Sequence, residues 1–240
     1  MIGRGEQASR MAPKMIISYD DTDNDRDALA LGGLFATAGA TVALAYVRHV
    51  TEGSRDREVQ AEREADALLE RGARTLGAPE AARHVVLHGS TGAGLRQLAE
   101  REEADLVVFG SDYRTPRGSV RPGTAAQRLL SGGPAAVAIA PADLRARGVE
   151  RFGRVGVLAD GPDLAAAETA DSLAAETGAA IVDAREGDLD LLIVGSRPEA
   201  ELGRVMLNAV AEYAIELSRC PVLVVPRGTA LRFSPLLVAV

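Results

Sequence analysis

A chain of 240 residues is long for one typical domain, so it folds as one large domain or two small ones, and two is the expectation. Its 47% apolar and 25% charged residues are those of a protein that buries a core, which excludes a disordered or fibrous chain. A net charge of −7, from 27 basic against 34 acidic residues, argues against duplex nucleic acid or an anionic membrane as partner and leaves a small ligand or another protein.

The start Met1-Ile2-Gly3-Arg4-Gly5 has no signal-like apolar stretch, and no apolar run reaches the roughly 18–20 residues of a membrane span, so a cytoplasmic protein is expected. Residues 1–13 read as an unpacked leader. From Lys14 onward, strand-like runs alternate with helix-length periodic stretches, the pattern of βαβ units, so the fold class is α/β with a parallel sheet covered on both faces. Met15–Tyr19 predicts a first strand, Asp25–Ala38 a helix and Thr41–Val47 a second strand. Arg55–Leu76 follows as a helix whose wet side carries Glu58, Glu62, Arg63, Glu64 and Arg71, then a strand at His84–Leu87 and a helix at Gly92–Glu102. Asp105–Gly110 is an apolar strand ending in glycine, and a long loop leads from it to a helix at Thr124–Leu130 and a last strand at Ala135–Ala140.

The second half repeats the first with an excision. Val155–Asp160 answers the first strand and its Asp20, Leu189–Ser196 answers Ala104–Ser111, and Cys220–Pro226 answers Gly133–Pro141. Missing between the first two matches is about a helix, a strand and another helix. A parallel crossover needs roughly a dozen residues, and only Arg185 to Leu189 is available after Ala180-Ile181-Val182-Asp183. That stretch is therefore expected as a short edge strand, an irregular segment or an antiparallel strand, not as an ordinary parallel second strand. The expected organisation is a complete domain over 14–141, a linker over 142–153, a reduced domain over 154–227 and a tail over 228–240. The tail's Leu236-Leu237-Val238-Ala239-Val240 is too apolar for a solvated end and is expected to add as a strand or to cover a sheet edge. The single cysteine, Cys220, has no disulfide partner and reads as a buried structural thiol.

Between the fourth strand and its helix stands Gly110-Ser111-Asp112-Tyr113-Arg114-Thr115-Pro116-Arg117-Gly118-Ser119-Val120-Arg121-Pro122-Gly123-Thr124. It resembles the phosphate loop of the universal stress protein family, which reads Gly, two residues, Gly, nine residues, Gly, then Ser or Thr. Gly110 and Gly123-Thr124 fit, while Tyr113 takes the place of the second glycine. Tyr19-Asp20-Asp21-Thr22 stands where that family has its turn after the first strand, and the resemblance covers 14–141 in full and 153–226 in reduced form. It implies two tandem doubly wound sheets of strand order 3-2-1-4-5, the second reduced. It also implies a nucleotide site lined by Asp20, Val47, Gly110, Gly123, Thr124 and Ala125, taking ATP or another adenine nucleotide, with Mg²⁺ entering on the nucleotide.

Open parallel sheets bind ligands beyond the strand carboxyl ends where strand order reverses, here between the first and fourth strands. Arg114, Arg117 and Arg121 place three cations in the adjoining loop, either to hold a phosphorylated ligand or as a solvated face. In the second copy the matching positions are Gly195, Pro198, Asn208 and Ala209, so only the first glycine survives and this copy is expected to bind nothing. Family dimers join through their last strands, so Ala135–Ala140 and Val222–Val225 are expected to pair inside the chain as a pseudo-dimer, with separate edge strands or a homodimer as alternatives. The run Asp21-Thr22-Asp23-Asn24-Asp25 departs from a calcium loop at Arg26 and Gly32, and reads better as carboxylates capping the first helix. Three functions remain: a non-catalytic stress-response protein binding an adenine nucleotide, a ligand-free interaction module, and a slow phosphohydrolase with Asp20 or Asp112 as its base.

Overall fold

The structure, a computed structural model, describes residues 12–49 and 55–233. Its first half runs β1 (Lys14–Ser18), α1 (Asp23–Thr37), β2 (Thr41–Arg48), α2 (Arg55–Thr75), β3 (Ala82–Leu87), α3 (Thr91–Arg101), β4 (Leu106–Gly110), α4 (Thr124–Leu130) and β5 (Ala136–Ala140). The second half runs β6 (Arg154–Leu158), α5 (Ala165–Thr177), β7 (Ala180–Asp183), β8 (Leu191–Gly195), α6 (Ala209–Leu217) and β9 (Val222–Val225). All nine strands join one sheet of order β3-β2-β1-β4-β5-β9-β8-β6-β7. The first half has the expected 3-2-1-4-5 order, and the second keeps the same order without the strand that would answer β3. Every pairing is parallel except β5 with β9, which is antiparallel, with Ala138 opposite Leu223. The two halves thus meet through their last strands as one continuous sheet, a wider assembly than two separate sheets.

Side-chain alternation along the strands sorts the core into two layers. Met15, Ile17, Leu106 and Val108 face α1, α2 and α5 with Leu31, Phe35, Leu69 and Leu173. Ile16, Val107 and Phe109 face α3, α4 and α6 with Leu95, Leu98, Leu129 and Ile215. Both layers run across the β5–β9 seam. On the α1 side Phe35 lies 5.2 Å from Phe152 and 5.9 Å from Phe233, ring centroid to centroid, so α1, the linker and the tail share one aromatic cluster. Buried Asp27 of α1 adds a polar tie, accepting from the Asp143 N–H at 2.7 Å and the Arg145 N–H at 3.0 Å.

Ala180–Asp183 is a short edge strand, one of the expected forms, but it pairs parallel to β6, and the return path to β8 crosses without a helix. Ala184 and Leu189 lie directly on β6 at Gly156, where a methyl group would stand 2.7 Å from Leu189 Cδ1 and 3.1 Å from Ala184 Cα. The absent side chain makes room for the short crossover. Pro13, assigned to the leader, is buried, and its carbonyl accepts from the Thr41 N–H at 2.9 Å. Leu231 and Phe233 are buried without forming a strand; residues 1–11 and Leu236–Val240 lie outside the described residues.

The excision leaves a mark on α6. In the first half Gly92 of α3 packs so closely on α4 that a methyl there would be 3.0 Å from Ala125 Cα. No described helix covers the corresponding face of α6, and Val210, Tyr213 and Leu217 are exposed. A groove of about 690 Å³ runs beside them, floored by Leu189, Leu192 and Cys220. Cys220 is buried, and burial pushes its thiol pKa up.

Candidate functional site

The carboxyl ends of β2, β1 and β4 lie side by side, and the turn leaving β1 is built from acids with separate tasks. Thr22 caps α1: its Oγ1 accepts from the Asp25 N–H at 3.3 Å and donates to Asp25 Oδ2 at 2.6 Å. The same carboxylate accepts the Asp20 N–H at 3.0 Å. This reciprocal box starts the helix at Asp23, two residues before the sequence pattern placed it. Asp21, at φ 59°, turns its side chain away: Tyr19 Oη donates to it at 2.8 Å, and Arg26 stands at 3.2 Å. The Tyr19 hydrogen bond, with Arg26 and Arg71, holds its carboxyl below the ordinary range. Burial, then the bond to Asp21 and its charge, push Tyr19 up to about 12.

That leaves Asp20. Its carboxylate has no hydrogen-bond or ion-pair partner among the described residues. Partial burial, followed by the charge of Asp21, raises its pKa, and His49 pulls the other way. Beside it, the Ala45 carbonyl accepts from the Tyr19 N–H and the Arg48 carbonyl from the His88 N–H. Strand alternation therefore turns the Val47 N–H and C=O toward β1, and the β1–α1 turn supplies no backbone partner to either. The Val47 side chain is buried under α3, near Gly94.

Gly110 ends β4 with the Asn24 carbonyl of α1 pressed onto it; a methyl there would stand 2.0 Å from that oxygen. Its lack of a side chain is thus a packing requirement. The following loop closes on itself through a bridge between Ser111 and Pro122 and reaches α4 at Gly123. A methyl at Gly123 would meet nothing nearer than Asp112 Cα, at 4.0 Å, so its Cβ direction is open space. Thr124 and Ala125 line a hollow of about 510 Å³ shared with Ser90, Thr91 and Gly92 at the start of α3.

Asp20, Val47 and Gly110 stand at the carboxyl ends of β1, β2 and β4 and Gly123 opens α4, while the hollow that Thr124 and Ala125 line is shared with α3 and includes none of those four. The arginines do not join them. The Arg114 guanidinium sits 4.9 Å from the Tyr113 ring centre, Arg117 is exposed and lies 3.6 Å from Asp143, and Arg121 lines a groove between α4 and α6. Tyr113 is 71% exposed, so its ring does not plug the crevice, and it is not among the residues at positive φ. Asp25 organises the turn, in keeping with the reading of the acidic run as a helix cap; one contributor went unread in the sequence, Asn24, which seals Gly110 and which nothing local signals.

The second half shows the same crevice shut. Asn208 occupies the place of Gly123, caps α6 by accepting from the Ala211 N–H at 2.8 Å, and donates to Asp160 Oδ2 at 3.2 Å. Asp160 is the counterpart of Asp20. Pro198, at the place of Tyr113, lies on the β6–α5 turn, 3.0 Å from where a methyl would stand at Gly161. Only the frame is retained: Ser111 Oγ donates to the Ala140 carbonyl at 2.7 Å, and Ser196 Oγ to the Val225 carbonyl at 2.7 Å.

Comparisons with known proteins agree with this layout. The model of the Universal stress protein family matches residues 11–141 and 167–226. No curated protein matches the chain. Among solved structures, a universal stress protein from Archaeoglobus fulgidus DSM 4304 superposes with a TM-score of 0.68 at 17% identity, over 90% of this chain and 98% of that one. A functionally unknown protein from Pseudomonas aeruginosa PAO1 superposes with a TM-score of 0.59 at 12% identity, over 90% of this chain and 93% of that one. These likenesses concern the fold.

Proposed function

Because the chain belongs to the universal stress protein family, we propose that its first half binds an adenine nucleotide or a related phosphate compound without transforming it. Occupancy then alters a protein partner or the association state. The observation that carries this reading is the contrast between the two crevices. One has a carboxylate without a partner at Asp20 and bare space at Gly123; in the other, Asn208 fills the space and holds Asp160. In this reading Asp20 and the Val47 backbone take the base or ribose, and Gly123 and Thr124 the phosphate, roles that the family resemblance supplies. Mg²⁺ is assigned to the nucleotide and not to a protein site. Among the described residues no cluster of three or more His, Cys, Asp or Glu has the arrangement to hold a metal, and no helix is long and apolar enough to cross a membrane.

A second reading, an interaction module, is favoured by the uncovered apolar face of α6. Mass spectrometry of small molecules released from the purified protein separates the two: an adenine compound in stoichiometric amount supports the first. Gly123→Val is the matched test, since its side chain enters open space at φ −73°. The expected outcome is an unchanged melting temperature and at least tenfold weaker binding by calorimetry; unchanged affinity would move the site elsewhere.

A further inference from the structure

Where the two halves meet, a groove of about 670 Å³ lies between α4 and α6, within the roughly 300–1,000 Å³ of small-molecule sites. Its walls are copies of each other. Leu130 of α4 and Ile215 of α6 are buried at matching places and line it together. Around them the copies diverge: Arg121, Gln127 and Ser131 of the first half are answered by Met206, Glu212 and Glu216 of the second. Gln127 and Ser131 are engaged locally, Gln127 Nε2 donating to the Pro122 carbonyl at 3.2 Å and Ser131 Oγ to the Gln127 carbonyl at 2.9 Å. The side chains of Arg121, Glu212 and Glu216 have no hydrogen-bond or ion-pair partner among the described residues.

The groove has one shut end and one open end. Ala138 pairs antiparallel with Leu223, its own counterpart, so a pseudo-two-fold axis relates the halves. At one end an antiparallel bridge joins Ser131 to Met206, and the Gly132 N–H donates to the Val205 carbonyl at 2.7 Å. The axis carries that pair onto Glu216 and Arg121, where no such bridge forms among the described residues. Two opposite charges thus share the open mouth. Glu212 stands one helix turn further in, roughly 6 Å along the axis of α6. Glu216 is set against the physics of its helix: a like charge lies one turn away, and it occupies the negative end of the helix dipole in a last turn with no basic residue. A local cost kept without a protein partner marks a place where a ligand supplies the compensation.

We propose that this groove binds a basic α-amino acid, independently of the nucleotide reading. At the mouth the carboxylate of the ligand pairs with Arg121 and its α-ammonium with Glu216. Its aliphatic stem lies over Leu130, Met206 and Ile215, and the terminal cation meets Glu212, a reach that suits a four-carbon stem. Two carboxylates and one guanidinium in the groove are balanced by two cations and one carboxylate on the ligand. An apolar amino acid leaves Glu212 without a partner, and a diamine leaves Arg121 without one.

The test is titration of the full chain, followed through the NMR signals of the Leu130 and Ile215 methyl groups, with lysine and three compounds that each lack one of its charged groups: norleucine, cadaverine and ε-aminocaproate. Lysine is expected to shift both signals saturably, and each of the other three to bind at least fivefold more weakly. On Glu212→Gln the advantage over norleucine should vanish, and on Arg121→Ala the advantage over cadaverine. Both side chains are exposed, so both variants should melt with the native chain. Absence of a saturable shift with lysine overturns the proposal. So does any of the three analogues binding the native chain as tightly as lysine, and so does an advantage that survives its matching substitution.

Discussion

Gly110 and Gly195 occupy matching places at the ends of β4 and β8, yet they do different work. A methyl at Gly110 would stand 2.0 Å from the Asn24 backbone carbonyl, whereas at Gly195 the nearest atoms are 3.6 Å away. Gly110→Ala should therefore cost about 3 kcal/mol, because α1 must move off the sheet, and Gly195→Ala should stay within about 0.5 kcal/mol. Urea denaturation of the two variants checks the contrast; equal losses would mean that the α1 contact is soft. The glycine pattern was legible in the sequence, but its reason was not. Spacing marked Gly110 for a phosphate loop, while the Asn24 contact depends on how α1 leaves its capping box. The outward course of Arg117 was equally hidden, since Asp143 is brought to it only by the linker after β5.

At the scale of elements, periodicity located every helix and strand of the first half, with ends displaced by a few residues where a cap or a sheet neighbour decides. Capping by Thr22 moved the start of α1, and pairing of Ala82 with Ala43 extended β3 backward. The path from β7 to β8 was the place where reading the sequence stalled, because a crossover without a helix breaks the usual length rule. Gly156 is what permits it. Gly156→Val should push Ala184 and Leu189 off β6, lower stability by about 1–3 kcal/mol, and speed hydrogen exchange of the Ala180–Asp183 amides before those of β6. Uniform exchange along both strands would show that the crossover does not hold β7.

At the scale of the whole molecule, the sheet and both of its apolar layers continue through the β5–β9 seam. The Phe35–Phe152–Phe233 cluster and the Asp27 hydrogen bonds tie the linker and the tail to α1. Heating should therefore give one cooperative transition by calorimetry, with a midpoint independent of protein concentration; two resolved transitions would show that the halves unfold separately. Composition and repeat already pointed to two related halves, and the family resemblance to their pairing through the last strands, as found; strand pattern alone did not decide it, because apolar strands of this kind read alike at an edge or at a seam.

The seam bears on how the proposed nucleotide binding would respond to concentration. Two identical chains joined this way would offer a pair of equivalent crevices able to influence each other. Here the half built into the same polypeptide arrives with its crevice already filled by Asn208. If the first half takes a nucleotide as proposed, saturation should follow a simple hyperbola at one molecule per chain, graded over about two decades of concentration around half-occupancy; a sigmoidal isotherm or two molecules per chain would show a second working crevice.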